Sequence, residues 1–183
     1  MVEQKTLLTA EDLMDLPVTD RRYELLDGEL IEMPPTNGQH GRIELRIGYE
    51  FLTYTDTHAG GLVLTGEPGI ILRRSPDRVR APDVCVWTAE RAPSDQEQEH
   101  YLQAVPDIIV EVISPGDSAS EIQSKVREWL DAGARLVWAV YPSTRTVIAY
   151  TSAREIRTYG EHDVIDAAPV FPDFSCPVAN FFR

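Results

Sequence analysis

The sequence predicts a mixed α/β (α+β) fold, arranged as a single domain over residues 1–183. Three observations carry that reading. Strand-length runs of β-branched and aromatic residues recur along the chain, the clearest at 106–115, closed by proline at both ends. Two segments, 40–57 and 118–132, repeat apolar residues at helical spacing. An Asp27-Gly28 pair separates two short strand-like runs near the N-terminus, which is a strong hairpin signal. At 183 residues, 43% hydrophobic and 26% charged, the chain has enough apolar material for one real core.

The elements follow in order. Thr9, ahead of Ala10-Glu11-Asp12 and Leu13-Met14, caps a short helix that Pro17 ends. Runs 23–26 and 29–33 form the hairpin, with Glu29 and Glu32 expected on its solvent side. Ile43, Ile47, Phe51 and Tyr54 form the stripe of a long helix, stopped by Gly60-Gly61. Strands are expected at 62–64 and 69–72, then a basic loop over 73–80, then a strand opening at Ala81-Pro82-Asp83. Residues 89–104 are polar and acid-rich, as a mobile surface loop would be. After the 106–113 strand, Ile122, Val126, Trp129 and Leu130 mark a second helix that ends at Gly133. Strands at 135–141, 146–151 and 155–159 follow, and the apolar tail, 170–182, packs on the body.

Charge and composition narrow the function. The chain carries 17 basic and 30 acidic residues, a net of −13, which is a poor footprint for non-specific binding to phosphate backbones. Metal ions or a local basic patch can offset an acidic average. Cys85 and Cys176 are the only cysteines and form no zinc-ligand pattern. No run approaches the roughly 18–20 apolar residues of a membrane span, and the first residues lack a signal-peptide layout. A cytoplasmic location is the expectation.

One residue is out of character. Glu111 lies between Val110 and Val112 in the apolar run, where an unpaired carboxylate is expensive to desolvate. Asp83 begins the preceding strand, and Lys125 stands at the edge of the following helix's apolar stripe. Two carboxylates on adjacent strands can hold a hard cation such as Mg²⁺ or Mn²⁺. A lysine beside it can orient water and stabilise charge at phosphorus. For each residue a structural role is also open: a strand-start Asp, a Glu paired with arginine, a Lys snorkelling to solvent. His40, at or before the first turn of its helix, is read as a cap or loop histidine, with a phosphate-facing or catalytic role as the alternative. Arg74, Arg78 and Arg80, in the densest basic stretch, are either a solvated turn or a contact to substrate phosphate.

Several segments together resemble the Uma2 family: Tyr23-Glu24-Leu25-Leu26-Asp27-Gly28-Glu29-Leu30, Ala81-Pro82-Asp83-Val84, the whole 106–115 run, and Lys125 through Trp129, Ala132-Gly133 and Val137-Trp138. That is a bacterial family described as endonucleases of the restriction-endonuclease-like PD-(D/E)XK fold. The resemblance implies a central mixed sheet flanked by helices, with the N-terminal hairpin as an extension. It makes Asp83 and Glu111 the metal ligands and catalytic acids of the motif. Ile113 stands where the plain motif has lysine, and Lys125 takes that place from the helix. Glu24 matches the family's early acidic position, which implies a residue supporting the metal ligands from behind or a ligand to a second metal. Asp107 is treated as structural. The expected activity is Mg²⁺-dependent hydrolysis of DNA by a homodimer away from membranes. The alternatives are a non-catalytic binding or assembly module that keeps the fold, and an enzyme of the same fold acting on RNA or a small nucleotide.

Overall fold

The computed structural model describes residues 6–17 and 21–183. Its centre is a six-stranded mixed sheet built from β3 (Leu62–Thr65), β6 (Val84–Trp87), β7 (Ile108–Val112), β8 (Leu136–Tyr141), β9 (Thr146–Tyr150) and β10 (Ile156–Tyr159). The order is β10-β9-β8-β7-β6-β3. Only the central pair β7 and β8 is parallel. A parallel pair needs a crossover, and α3 (Ala119–Ala132) supplies it. The two central strands are covered on both faces, so they read as continuous apolar runs.

Strand alternation distributes the core. Val84, Val86, Ile108, Val110 and Trp138 face α2 (Gly38–Tyr54), which contributes Ile43, Ile47 and Phe51. Cys85, Trp87, Ile109 and Val137 face α3, which contributes Val126 and Trp129. Glu111 is two residues on from Ile109 and so shares its face. The helix ends are well specified. Ser118 and Glu121 form a capping box at the start of α3, and Gly133, with φ of 110°, closes it in the left-handed conformation. Gly61, with φ of 126°, is obligatory: a Cβ there would sit 2.4 Å from the Trp87 carbonyl oxygen.

The expected N-terminal elements are present as α1 (Ala10–Met14), capped by Thr9, and the hairpin of β1 (Arg22–Leu26) and β2 (Glu29–Met33). Glu29 and Glu32 are both exposed. The hairpin joins β4 (Ile70–Arg73) and β5 (Arg78–Arg80) in a second sheet, ordered β2-β1-β5-β4, over a small core of Ala10, Leu13, Leu25 and Val79. The basic stretch expected as a loop is therefore a hairpin whose far arm is β5. Its alternating Arg-Val-Arg puts Val79 into that core, a tertiary contact that outweighs the local polarity. The 89–104 segment is anchored rather than loose at its end. Leu102 is buried and exchanges backbone hydrogen bonds with Gly69 and Ile71. The apolar tail packs as β12 (Phe171–Pro177), paired with β11 (Val164–Ala167) ahead of it, and its Phe171, Phe174 and Cys176 complete the α2 side of the core. No helix among the described residues is long and apolar enough to cross a membrane.

Candidate active site

Asp83 and Glu111 meet because of the β6–β7 register. Val84 pairs with Val110, so one further step places Asp83 opposite Glu111. Asp83 is buried, and its Oδ2 accepts a 2.6 Å hydrogen bond from the Val112 backbone N–H. The same oxygen is 3.3 Å from His40 Nε2. Glu111, only 7% exposed, is held from α3: Trp129 Nε1 donates to Oε1 at 2.7 Å, and Lys125 Nζ donates to Oε2 at 3.4 Å. Lys125 and Trp129 are four residues apart, one turn of helix, so both reach the same carboxylate. Lys125 Nζ also lies 4.0 Å from Oε1 of Glu24.

Glu24 is 2% exposed, on β1. Its carboxylate accepts from Arg80 Nη1 at 2.6 Å and from the Ala81 backbone N–H at 3.2 Å. Arg80 in turn pairs with Glu128 of α3, at 2.8 Å. Arg78 pairs with Asp27 at 2.8 Å and with Glu128 at 3.0 Å, and Arg74 pairs with Glu11 and Asp77, each at 2.7 Å. The three arginines expected near substrate phosphate are thus engaged by neighbouring carboxylates. Their arrangement ties the second sheet to α3 and α1. Asp107, completely buried, accepts from Thr88 and Arg91 and pairs more distantly with Arg135, away from Glu111 and its partners.

His40 departs from the expected cap or loop residue. Its backbone N–H does donate to the N-cap Asn37, but the imidazole is buried against Asp83. Glu44, one turn later on α2, was not foreseen. Single ligand atoms of His40, Glu44 and Asp83 lie within 4.8 Å of one another. Glu44 also accepts from the Gly66 backbone N–H at 2.7 Å. The His-x-x-x-Glu spacing was visible in the sequence and is what one face of a helix requires of two co-ligands. An imidazole nitrogen with carboxylate oxygens suits a hard or borderline divalent cation. The Nδ1 of His40, buried and without a hydrogen-bond partner among the described residues, leaves that ring with unmet polar capacity.

The electrostatics are those of a crowded, desolvated site. Burial pushes the Glu111 carboxyl up to about 7, Lys125 opposing and Asp83 reinforcing the rise. The charge of Glu111, with that of Glu24, holds Lys125 above its usual value against its own burial. Burial alone would lower His40, but its hydrogen bond to Asp83 and the negative charges of Asp83 and Glu44 outweigh it, and the imidazole is raised. Burial raises Glu44, with the Gly66 hydrogen bond opposing. Asp83, Glu111, Lys125, Glu24 and His40 all line one cleft of about 480 Å³.

A mixed sheet with its one parallel pair at the centre, a helix on each face, and acidic residues at the strand edge beside a helix-borne lysine defines a restriction-endonuclease-like fold. The chain belongs to the Uma2 family, whose model, described as "Putative restriction endonuclease", matches residues 10–179. Among solved structures it is similar to a protein of Anabaena variabilis ATCC 29413, titled a putative nuclease belonging to DUF820. The TM-score is 0.78 at 18% identity, over 96% of this chain and 97% of that one. At that identity the likeness speaks for the fold. Comparison with curated proteins gave no match.

Proposed function

We propose that the protein is an endonuclease that hydrolyses phosphodiester bonds in DNA with the help of Mg²⁺ or Mn²⁺. The observation that carries this reading is the convergence of Asp83, Glu111 and Lys125 from two strands and a helix in one cleft. Asp83 and Glu111 would hold the cation, with His40 and Glu44 adding ligand atoms on the α2 side. A bound cation supplies Lewis acidity and a nucleophilic water at neutral pH. Lys125, kept protonated by Glu111 and Glu24, is a charge donor rather than a base: its ammonium stabilises negative charge growing on the phosphate. Trp129 fixes one Glu111 oxygen, and Glu24, held by Arg80, sets the lysine from its other side. Family membership and the likeness to a nuclease-titled structure support the assignment.

The −13 charge favours a second reading, a binding or assembly module that retains the fold. Hydrolysis of single-stranded and plasmid DNA with Mg²⁺ or Mn²⁺ separates the two. The nuclease reading expects activity in the wild type on at least one of them that Asp83→Ala and Lys125→Ala each abolish. Hydrolysis left unchanged by both substitutions refutes it. The absence of hydrolysis on DNA and RNA, with saturable binding of a partner, establishes the module. Titration calorimetry with Mn²⁺ on wild type and Glu111→Gln tests the ion site separately.

A further inference from the structure

The cleft also has a wall that the chemistry does not use. Leu13, Met14 and Leu16 from the first helix and its end, Tyr23 and Met33 from the hairpin, and Tyr101 line it together with the acidic site. Its ionisable lining is one-sided. Glu24, Glu67, Asp83, Glu111, Asp117 and Glu121 give six carboxylates against three permanent cations, Arg21, Arg22 and Lys125, a formal balance of −3 with His40 neutral and −2 with it protonated. Each of those cations faces a carboxylate: Arg21 with Glu32, Arg22 with Glu67, Lys125 with Glu111. A duplex is held mainly through cations set along its phosphates. Among the described residues this cleft has no row of uncompensated ones. Its volume of about 480 Å³ is instead that of a small-molecule site.

We infer that the cleft takes a single unpaired nucleotide, its base against the Met14 and Tyr23 wall and its phosphate at the acidic end, so that unpaired strand ends and short oligonucleotides rather than intact duplex are the substrates. This rests on the phosphodiesterase reading above. A base has the apolar faces that such a wall binds, and only an unstacked base can present them. One scissile phosphate is a small anionic load for an acidic cleft that a cation would partly neutralise.

Fluorescence anisotropy on the full chain, with Ca²⁺ in place of Mg²⁺, tests this using a labelled dinucleotide, a single-stranded oligonucleotide and the corresponding duplex. The single strand and the dinucleotide bind, and the duplex binds at least about tenfold more weakly, since a base must first be unpaired. The salt dependence of log K for the dinucleotide has a slope of about −0.7, that of a single phosphate on a single strand. Met14→Glu, at a position 44% exposed and so tolerant of a charge, weakens the dinucleotide about tenfold and leaves Mn²⁺ binding unchanged. Duplex binding as tight as the single strand, a duplex slope of about −4 or steeper, failure of the dinucleotide to bind, or indifference to Met14→Glu overturns the inference. Hydrolysis of the same three in Mn²⁺ distinguishes strand ends from free dinucleotide as the source. If nothing is hydrolysed, the nuclease reading fails, while the anisotropy still decides what the cleft accepts.

Discussion

Glu111→Gln probes the electrostatic core of the site. Burial holds this carboxyl at about 7, against an ordinary value of 4.5. A carboxyl whose folded pKa is raised keeps a proton that the unfolded chain has released, so its contribution to stability falls as pH climbs between the two values. Below about 4.5 both states are protonated and the effect vanishes; above about 7 the penalty is complete. The full gap corresponds to about 3 kcal/mol, of which about 2 kcal/mol develops between about pH 5.5 and about pH 8. Glutamine keeps a carbonyl oxygen for Trp129 and has no charge to desolvate. In EDTA, the stability of Glu111→Gln relative to wild type should therefore rise by about 2 kcal/mol from the lower pH to the higher. In a chain of this size that is a relative shift in Tm of about 4–8 °C. Thermal melts of both proteins at the two pH values check it. A stability difference that stays constant across that range refutes the account of Glu111 as a buried carboxylate retained at a cost to folding.

Other substitutions address the supports. Arg80→Met leaves Glu24, 2% exposed, without its main partner and should destabilise the protein by about 3 kcal/mol in urea unfolding. A loss under about 1 kcal/mol would show that the Arg80 network is dispensable. Ser118→Ala removes the N-cap of α3 and should cost about 1 kcal/mol without changing Mn²⁺ affinity. Glu44→Gln should weaken Mn²⁺ binding at least about tenfold in calorimetry. An unaltered affinity would remove Glu44 from the ligand set.

How much of this was legible in the chain depends on the range of the interactions. The capped helices, the Asp27-Gly28 hairpin and the apolar strands rest on local propensity and periodicity, and the structure reproduces them within a few residues. The oddity of Glu111 could be seen because a carboxylate in an apolar run has few explanations. The 73–80 stretch misled for the converse reason. Its local polarity reads as a loop, whereas Val79 is drawn into the core shared by α1 and β1 and its arginines face carboxylates from α1, β1 and α3. His40 and Glu44 shared a helix face in the sequence. Nothing local said that this face would meet Asp83.

The sequence by itself determined the elements of this protein, their order and the presence of a carboxylate that must find partners in the interior. Spacing along one chain carries that information, since propensity, capping and alternation act over a few residues. Only the tertiary structure decided which partners those are. The β6–β7 register sets Asp83 against Glu111, the α3 crossover brings Lys125 and Trp129 to the same carboxylate, and the packing of α2 adds His40 and Glu44. Those contacts join residues as many as 43 positions apart, from Asp83 back to His40, and their energies depend on burial and distance. Both quantities come into being only when the sheet closes against its helices.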